Sequence, residues 1–281
     1  MIHPGLRTKL INLFSIYLPL AVLTVFTLTP FYWLLNTALK QEGNITKIPI
    51  QYWPSPATID NFINMWRNMN FSRYFFNSLL ISTSVMLIVV VFTLLSGYAL
   101  CRFNFKGKRL ALLILLSTQF FGGQMLLIPL FMIYKHLHLL NSPLCLIIND
   151  STFEVAFNSV LMMGFFANVP VELEEAAMLD GCSRAMAIFK VIVPILMPGI
   201  VAAGFFAFVS SWKEFLFAIM LINNPDRFTI PVGLSYMMGE FDIHYGTLAA
   251  GGIIAIIPSF LLFTYIQKYL VQNLSAGAVK G

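Results

Sequence analysis

NSLLISTSVMLIVVVFTLLSGYALCRFNFKGKR, residues 77–109, contains 25 consecutive uncharged residues and then four basic side chains within eight positions. A helix rises about 1.5 Å per residue and the hydrocarbon layer of a membrane is about 30 Å thick, so about 20 apolar residues make one crossing. Short loops rich in Lys and Arg face the cytosol in membrane proteins. The segment therefore predicts a transmembrane helix whose C-terminal end, from Arg102 to Arg109, lies in the cytosol.

The composition of the whole chain agrees with a membrane protein. Of its 281 residues, 58% are hydrophobic, 15% are aromatic and only 10% are charged. Soluble globular domains are about half apolar and about a quarter charged. A soluble protein with a very large core is excluded, because its sequence would not contain several uncharged runs long enough to cross a bilayer.

We predict six transmembrane helices and therefore an all-α integral membrane protein. The apolar run that begins at Leu10 exceeds the roughly 7 to 15 residues of a signal-peptide core and has no small-residue cleavage site, so it is the first of these helices. Each of the six runs is long enough for one crossing. They are approximately 10–36, 77–101, 110–134, 143–168, 199–222 and 247–267.

The distribution of Lys and Arg orients these helices. With the N-terminus in the cytosol, ten basic residues lie on the cytosolic side and six on the outer side, as the positive-inside rule requires. Both termini are therefore predicted to be cytosolic. The chain then divides into an N-terminal transmembrane helix with an external loop (1–70), a transmembrane domain (71–270) with a cytosolic loop (169–198), and a cytosolic C-terminal tail (271–281).

The sequence lacks the usual signs of a metal, redox or nucleotide site. Cys101, Cys145 and Cys182 are far apart without C-x-x-C spacing, which indicates neither a disulfide framework nor zinc ligands. The sequence contains no G-x-x-x-x-G-K-[ST] phosphate loop. We expect no catalytic residue, cofactor, metal or nucleic acid on this chain.

The cytosolic loop gathers acidic side chains. Four of the twelve acidic residues lie within positions 172–180. The stretch 171–179 consists of good helix formers, and its acids lie in the first turn, where the helix dipole favours negative charge. The Asp-Gly pair at 180–181 then breaks this helix, and a second helix over 183–193 is expected to end at Pro194.

Two short helices at an angle would form a compact protrusion on which another protein can dock. The alternative is an amphipathic connector that lies on the membrane surface. Surface helices of that kind are rich in Lys and Arg, which attract anionic lipid, whereas this segment is acidic. Its charge therefore favours docking.

The spacing within the loop resembles a known motif. The order E-A-A, three residues, G, nine residues, then aliphatic-x-aliphatic-P resembles the EAA motif of permease subunits from bacterial ABC importers. EEAAMLDG followed by Phe189 is similar to the version found in sugar importers, although valines stand where the motif favours isoleucine and leucine. The matching residues are Glu175, Ala176, Ala177, Gly181, Val191, Val193 and Pro194.

The resemblance extends from about residue 70 to the end of the chain. Besides residues 77–109, the segments IPLFMIYKHLHLLNSP at 128–143, SWKEFLFA at 211–218 and QKYLVQNLSAGAVKG at 267–281 are similar to the maltose-type, carbohydrate-importing branch of these permeases. Lys213 departs from the pattern, because relatives commonly have asparagine before the glutamate. The resemblance implies a type I ABC importer permease fold and a multi-pass location in the bacterial cytoplasmic membrane.

The same resemblance implies a set of partners. The loop would be a coupling helix docked on a cytosolic ATPase, and two such ATP-binding subunits would hold the ATP. A second homologous permease subunit forming a heterodimer, an extracytoplasmic solute-binding protein, a carbohydrate substrate and membrane lipid complete the set. The residues assigned to ATPase coupling are Glu174, Glu175, Ala176, Ala177, Asp180, Gly181, Phe189 and Pro194.

Charged residues within the predicted spans are functional candidates because polar groups at membrane depth are costly. Lys213 and Glu214 in the fifth span lie at a depth similar to that of Glu154 in the fourth, and Asp150 lies one turn farther out. Lys213 and Glu214 are about 100° apart on a helix, so they cannot easily neutralise each other. We expect Lys213 to pair with Glu154 or with an acid on a partner subunit; the alternative is that Lys213 extends to the outer interface without a transport role.

The predicted translocation path combines these polar groups with aromatic rings. Sugar sites commonly pair hydrogen-bonding side chains with flat aromatic surfaces. Phe120 and Phe121 are further wall candidates, and Gly122 and Gly123 would permit local unwinding around a ligand. The residues assigned to the path are Asp150, Glu154, Trp212, Lys213, Glu214 and Gln124.

The sequence therefore predicts a permease subunit of an ATP-driven ABC importer that moves a carbohydrate, with a di- or oligosaccharide favoured, by alternating access. The alternative is a self-sufficient secondary transporter of a small polar solute. Such transporters often contain internal repeats, and no convincing repeat is present here. An integral membrane enzyme is a third class, but the sequence shows no residue set with the spacing that such chemistry needs.

Overall fold

The computed structural model describes residues 13–120, 123–238 and 243–278. Regular secondary structure in these ranges is entirely helical, which confirms the all-α prediction. A π-turn (Leu13–Tyr17) and two 3-10 segments (Gly123–Leu126 and Pro225–Arg227) accompany the α-helices. The α-helices are α1 (Leu18–Ala38), α2 (Glu42–Ile45), α3 (Asp60–Asn68), α4 (Phe71–Arg102), α5 (Lys108–Ser117), α6 (Leu127–His136), α7 (Pro143–Ala167), α8 (Glu172–Leu179), α9 (Arg184–Ala187), α10 (Val193–Trp212), α11 (Leu216–Leu221), α12 (Ile230–Tyr236) and α13 (Tyr245–Ala278).

Five helical stretches in the described ranges are long and apolar enough to cross a membrane. They correspond to the first, second, fourth, fifth and sixth predicted spans; four of these match the predicted bounds within a few residues, whereas the fifth begins about 15 residues earlier and ends about ten residues earlier than predicted. Their bounds are Phe14–Ala38, Phe71–Arg102, Pro143–Ala167, Arg184–Trp212 and Tyr245–Tyr269.

The third predicted span, 110–134, is not one continuous helix. It is divided into α5 and α6, which have ten residues each and so extend only about 15 Å apiece. The 3-10 segment from Gly123 to Leu126 lies between them, while the wall candidate Phe121 and Gly122, one of the two glycines expected to permit unwinding, fall outside the described residues. The predicted count of six continuous helices is therefore not confirmed.

The fifth span begins earlier than predicted, and the expected stop at Pro194 is wrong. The helical stretch that contains α9 and α10 runs without a break from Arg184 to Trp212. A π-turn from Ile188 to Ile192 lies before Pro194, with the Val193 N–H donating to the carbonyl of Ile188, five residues back. This wider turn accommodates a proline that lacks an N–H and would clash with the preceding turn of a regular α-helix.

The chain forms two compact units. The first comprises Met1–Phe71 with Tyr236–Ile256. Its core packs the end of α1 on α13 through Ala38, Ala249 and Ala250. The Asn61 amide donates to the carbonyls of Ala38 (2.9 Å) and Lys40 (2.7 Å), which satisfies backbone acceptors left open where α1 ends.

The second unit comprises Ser72–Ser235 with Ile257–Gly281. Its main core lies between α4, α7 and α10. Close packing requires Gly97 on α4, because a Cβ there would lie 2.8 Å from the side chain of Met162. The buried residues of this core are Tyr98, Met162, Phe166, Val169, Ile192, Leu196 and Ala203.

Candidate functional site

The loop predicted to dock on a partner contains the expected bent helix. Helix α8 ends at Leu179, and Gly181 adopts a left-handed conformation with φ of +90°. The N–H groups of Gly181 and Cys182 donate to the carbonyls of Met178 (3.1 Å) and Ala177 (3.0 Å). This is the Schellman pattern of helix termination, in which glycine reverses the chain without a Cβ penalty.

The chain re-enters a helix immediately after this turn. The Ser183 hydroxyl caps α9 by accepting a hydrogen bond of 3.3 Å from the Met186 N–H. Because α9 continues into α10, the bend at Gly181 joins α8 to a transmembrane helix without an intervening flexible segment. The loop predicted to dock on a partner and the fifth span thus form one connected structure.

Glu174 faces the inside of this structure. It is 4% exposed, and its carboxylate accepts a hydrogen bond from the Tyr98 hydroxyl. Its oxygens lie 3.5 Å from Arg102 Nε and 3.7 Å from Arg184 Nε. We call Tyr98, Arg102, Glu174 and Arg184 the Glu174 cluster; it fastens α8 to the C-terminal end of α4 and to the start of α9.

Two further contacts reinforce the Glu174 cluster. Arg102 Nη2 donates to the Val169 carbonyl at 2.8 Å, and the Arg184 guanidinium lies 5.6 Å from the centre of the Phe103 ring. The sequence analysis did not predict the partners of Glu174. Arg102 was interpreted only as a topology signal, although a basic residue ending a long apolar helix is also a candidate counter-ion for a nearby acid.

The remaining assigned coupling residues mostly point outward. Ala177 is buried against its own chain, so it cannot be part of an outer contact face. Leu179, which the sequence reasoning did not single out, is 89% exposed, and the exposed side chain of Met186 lies on the same loop. The assigned residues that are exposed are Glu175, Ala176, Asp180, Gly181, Phe189 and Pro194.

Three of the predicted path residues meet in one cavity of about 260 Å³. Asp150, Glu154 and Glu214 all line it. Sequence reasoning missed the other polar contributors, Asn149 and Ser210, because an uncharged polar residue in an apolar span is a weaker signal. The full lining is Gly123, Asn149, Asp150, Phe153, Glu154, Ser210, Glu214 and Phe217.

Each carboxylate in this cavity has hydrogen-bond donors from the chain. Asp150 accepts from the Ser211 hydroxyl (2.7 Å) and from the Asn149 amide (3.2 Å). Glu154 accepts from the Asn158 amide at 3.0 Å. Glu214 accepts from the N–H groups of Phe217 and Ala218, both at 2.8 Å, and so caps the start of α11.

The end of α10 at Trp212 changes the expected geometry of the next two residues. Lys213 and Glu214 lie in the turn before α11, and they are not consecutive residues of one continuous helix. Lys213 is exposed, and no ion pair joins it to Glu154, although both side chains are among those described. The expected direct ion-pair contact within 4.0 Å is therefore not formed between these two side chains, while pairing with an acid on a partner subunit stays a prediction.

The other two path residues do not line the 260 Å³ cavity. Trp212 is buried and stacks on Phe208, with ring centres 5.4 Å apart, and meets Phe75 edge-on at 5.8 Å. Gln124 lies in the 3-10 segment before α6 and is exposed. Phe120, which precedes that segment, is exposed as well. The cavity instead takes its aromatic walls from Phe153 and Phe217, whose centres are 5.9 Å apart.

Comparison with protein families gives a match over most of the chain. Residues 75–276 match the model of the binding-protein-dependent transport system inner membrane component. The chain is 35% identical to a sulfoquinovosyl glycerol transport system permease protein of Agrobacterium fabrum, over 94% of this chain and 93% of that protein. It is 32% identical to a diacetylchitobiose uptake system permease protein of Streptomyces coelicolor, over 92% and 94% respectively.

Comparison with solved structures gives a consistent fold. A chain of a bacterial ABC transporter involved in the import of the acidic polysaccharide alginate superposes with a TM-score of 0.82 at 19% identity, over 96% of this chain and 99% of that one. A second structure, of the alginate transporter with a pentasaccharide-bound periplasmic protein, gives a TM-score of 0.68 at 16% identity. The likeness confirms the predicted importer permease fold.

Proposed function

Since the chain belongs to the family of inner membrane components of binding-protein-dependent transport systems, we propose that it is the permease subunit of an ATP-driven importer whose cargo is a carbohydrate. The family match and the five apolar helices make it a multi-pass membrane protein. A di- or oligosaccharide is the favoured cargo, because one similar permease is named for the disaccharide diacetylchitobiose, while another is named for sulfoquinovosyl glycerol, a glycoside of one sugar.

The observation that carries the proposal is the bent loop of α8 and α9. Its outer face combines the exposed apolar side chains of Leu179 and Phe189 with the exposed acid Glu175. Exposed apolar residues next to charge are typical of a protein contact surface. The loop therefore suits docking on a cytosolic ATPase, and the unbroken connection to α10 supplies a route from that contact into the membrane.

Two ATP-binding subunits, a second permease and a solute-binding protein are the partners we assign to this subunit. The absence of a phosphate-loop motif from the sequence leaves ATP binding to separate subunits. The similar alginate transporter was solved with a periplasmic protein that carries a pentasaccharide, which supports a binding-protein partner here. We assign no catalytic role or cofactor to the permease itself, as its relatives are named transport permeases.

The cavity between α7 and α11 is the proposed part of the cargo path. Its carboxylates offer acceptors for sugar hydroxyl groups, and the Asn149 Oδ1 atom is buried without a hydrogen-bond partner among the described residues. Buried polar atoms normally find a partner, so a small rotation of the Asn149 side chain would present this acceptor to a ligand with hydroxyl donors. Lys213 and Gln124, whose side chains are exposed, remain proposed path residues through contacts with the second permease. Trp212 is buried within its own chain, where it would support the wall of the path.

Reconstitution into vesicles tests the proposed function. The purified permease would be assembled with the ATPase, permease and binding-protein subunits encoded beside it, and a ligand screen on the binding protein would supply the sugar. We expect uptake of that sugar only when ATP and all subunits are present. Uptake by this chain alone without ATP would contradict the importer and establish the alternative, a secondary transporter.

A further inference from the structure

The segment IPIQYW, residues 48–53, exposes a group of large apolar side chains; we call it the aromatic loop. Ile48 is 93% exposed, Trp53 73% and Tyr52 70%, and Ile50 is exposed as well. The segment carries no charged residue. Contiguous exposed apolar surface of this kind marks a site of contact with protein or with membrane.

The aromatic loop folds back along the end of the first transmembrane helix. The Tyr32 hydroxyl on α1 donates a hydrogen bond to the Tyr52 carbonyl. The Trp33 ring meets the Tyr52 ring edge-on, with centres 6.2 Å apart. Lys40, just beyond α1, donates from Nζ to the Gln51 carbonyl. All of these residues belong to the first compact unit, so the contacts fix the loop against α1.

These contacts set the depth of the aromatic loop. Tyr32 lies six residues before Ala38, where α1 ends, which places its Cα about 9 Å from that end along the helix axis. Side chains of a helix tilt toward its N-terminus. The Tyr32 ring therefore points away from the C-terminal end of α1, which is the end from which the loop approaches. The backbone at Tyr52 therefore lies alongside the terminal turns of a membrane-spanning helix, well below its end.

We propose that the aromatic loop lies in the interfacial layer of the membrane, with the phospholipid surface as its partner. Trp and Tyr are enriched in this layer because each has an apolar ring and one polar group that stays hydrated. Lys40, whose ammonium group is 5.2 Å from the centre of the Trp33 ring, stands between the loop and the end of α1. Lys40 is only 2% exposed, so its ammonium group holds the Gln51 carbonyl and fixes the aromatic loop at this level.

Two carbonyls of the loop backbone accept hydrogen bonds from within the chain. The Gln51 carbonyl accepts from Lys40 and the Tyr52 carbonyl accepts from Tyr32. Non-helical backbone near membrane depth needs partners for its polar groups, so these two bonds lower the cost of placing this part of the loop in the headgroup layer. A soluble protein would have to penetrate the headgroup layer to cover Tyr52, which is why we assign this surface to lipid.

Depth-dependent fluorescence quenching tests the proposal. The full chain would be reconstituted, with and without its partner subunits, in phosphatidylcholine–phosphatidylglycerol vesicles that contain lipids brominated either near the carboxyl end or near the methyl end of the acyl chain. Subtracting the emission of Trp53→Phe from that of the wild type isolates the signal of Trp53. The same subtraction with Trp66→Phe gives a matched control, since Trp66 lies on α3, outside the aromatic loop.

We expect the Trp53 signal to be quenched by lipids brominated near the carboxyl end, less by those brominated near the methyl end, and more strongly than the Trp66 signal. Two results would overturn the proposal. Quenching by aqueous iodide without quenching by either lipid would place the loop in water. Loss of lipid quenching on adding the partner subunits would mean that a protein covers the loop.

Discussion

Replacing Glu174 by Gln removes one negative charge from a buried cluster while preserving the size of the side chain. Only 5% of the Glu174 side chain and 10% of the Arg102 side chain are exposed. Their closest charged atoms are 3.5 Å apart, and Arg184 Nε lies 3.7 Å from the same carboxylate. The substitution therefore leaves Arg102 buried beside a neutral amide.

The free-energy cost follows from the exposure of the two arginines. Removing one partner of a buried ion pair costs about 3–5 kcal/mol, because the other charge stays buried without compensation. Arg102 keeps its hydrogen bond to the Val169 carbonyl, and Arg184 is 54% exposed, so its pair contributes less than about 1 kcal/mol. We expect a cost of about 3 kcal/mol, which raises the fraction of molecules with α8 detached from α4 by a factor on the order of 100.

Two measurements on the reconstituted transporter test this expectation. Hydrogen exchange over 172–179 should become about 100-fold faster in Glu174→Gln, in line with the cost given above. Less sugar should be taken up per ATP hydrolysed, since α8 then moves without α4. Glu172→Gln is the matched control, because Glu172 lies in the same first turn but is exposed. Equal exchange rates and equal coupling in the two variants would refute the anchoring role of Glu174.

Three further predictions concern the loop and the cavity. Gly181→Ala should cost about 1–2 kcal/mol of local stability from its left-handed backbone alone, since nothing lies within 4 Å of the added Cβ; unchanged hydrogen exchange at the turn would contradict this. Glu175→Lys places the opposite charge on the exposed face, so ATP hydrolysis should become uncoupled from uptake while membrane insertion is normal; loss of inserted protein would instead indicate a structural role. Asp150→Asn should lower sugar uptake about tenfold, because it removes one charged hydrogen bond to the sugar of about 1.5 kcal/mol. Asp226→Asn is the control: Asp226 lies in an exposed ion pair with Arg73, so this substitution should leave uptake unchanged. Equal losses of uptake in both variants would remove Asp150 from the path.

Much of the fold could be predicted from the sequence because a helix that crosses the lipid bilayer needs about 20 predominantly apolar residues. Uncharged runs of sufficient length located five spans, and glycine at 181 located the turn after α8. Pro194 misled the prediction, because proline usually ends a helix. The compensating π-turn from Ile188 to Ile192 leaves no clear mark in the sequence. In the same way, the total length of 110–134 could not reveal that α5 and α6 are separate helices.

The candidate site was predicted in part. Counting residues along the fourth and fifth predicted spans placed Asp150, Glu154 and Glu214 at similar depths, because helical rise per residue is regular. The structure brings all three to one cavity. The expected ion pair of Lys213 with Glu154 was not found, since the chain leaves the helix after Trp212 and the Lys213 side chain is exposed. Nor could the sequence show that Glu174 points inward while Glu175 points outward. That distinction depends on Arg102, which is far away along the chain and reaches Glu174 only in the folded protein.

The unbroken helical stretch from Arg184 to Trp212 can tilt as one rigid body, in the manner of a lever. Its 29 residues span about 43 Å, so a tilt of about 10° about one end displaces the other by about 7 Å. One end carries Arg184 of the Glu174 cluster, and Ser211 near the other end donates the 2.7 Å hydrogen bond to Asp150. A tilt imposed at the docking loop that left α7 in place would separate Ser211 from Asp150. Formation or loss of that hydrogen bond at the wall of the polar cavity would therefore depend on how far this helical stretch has tilted.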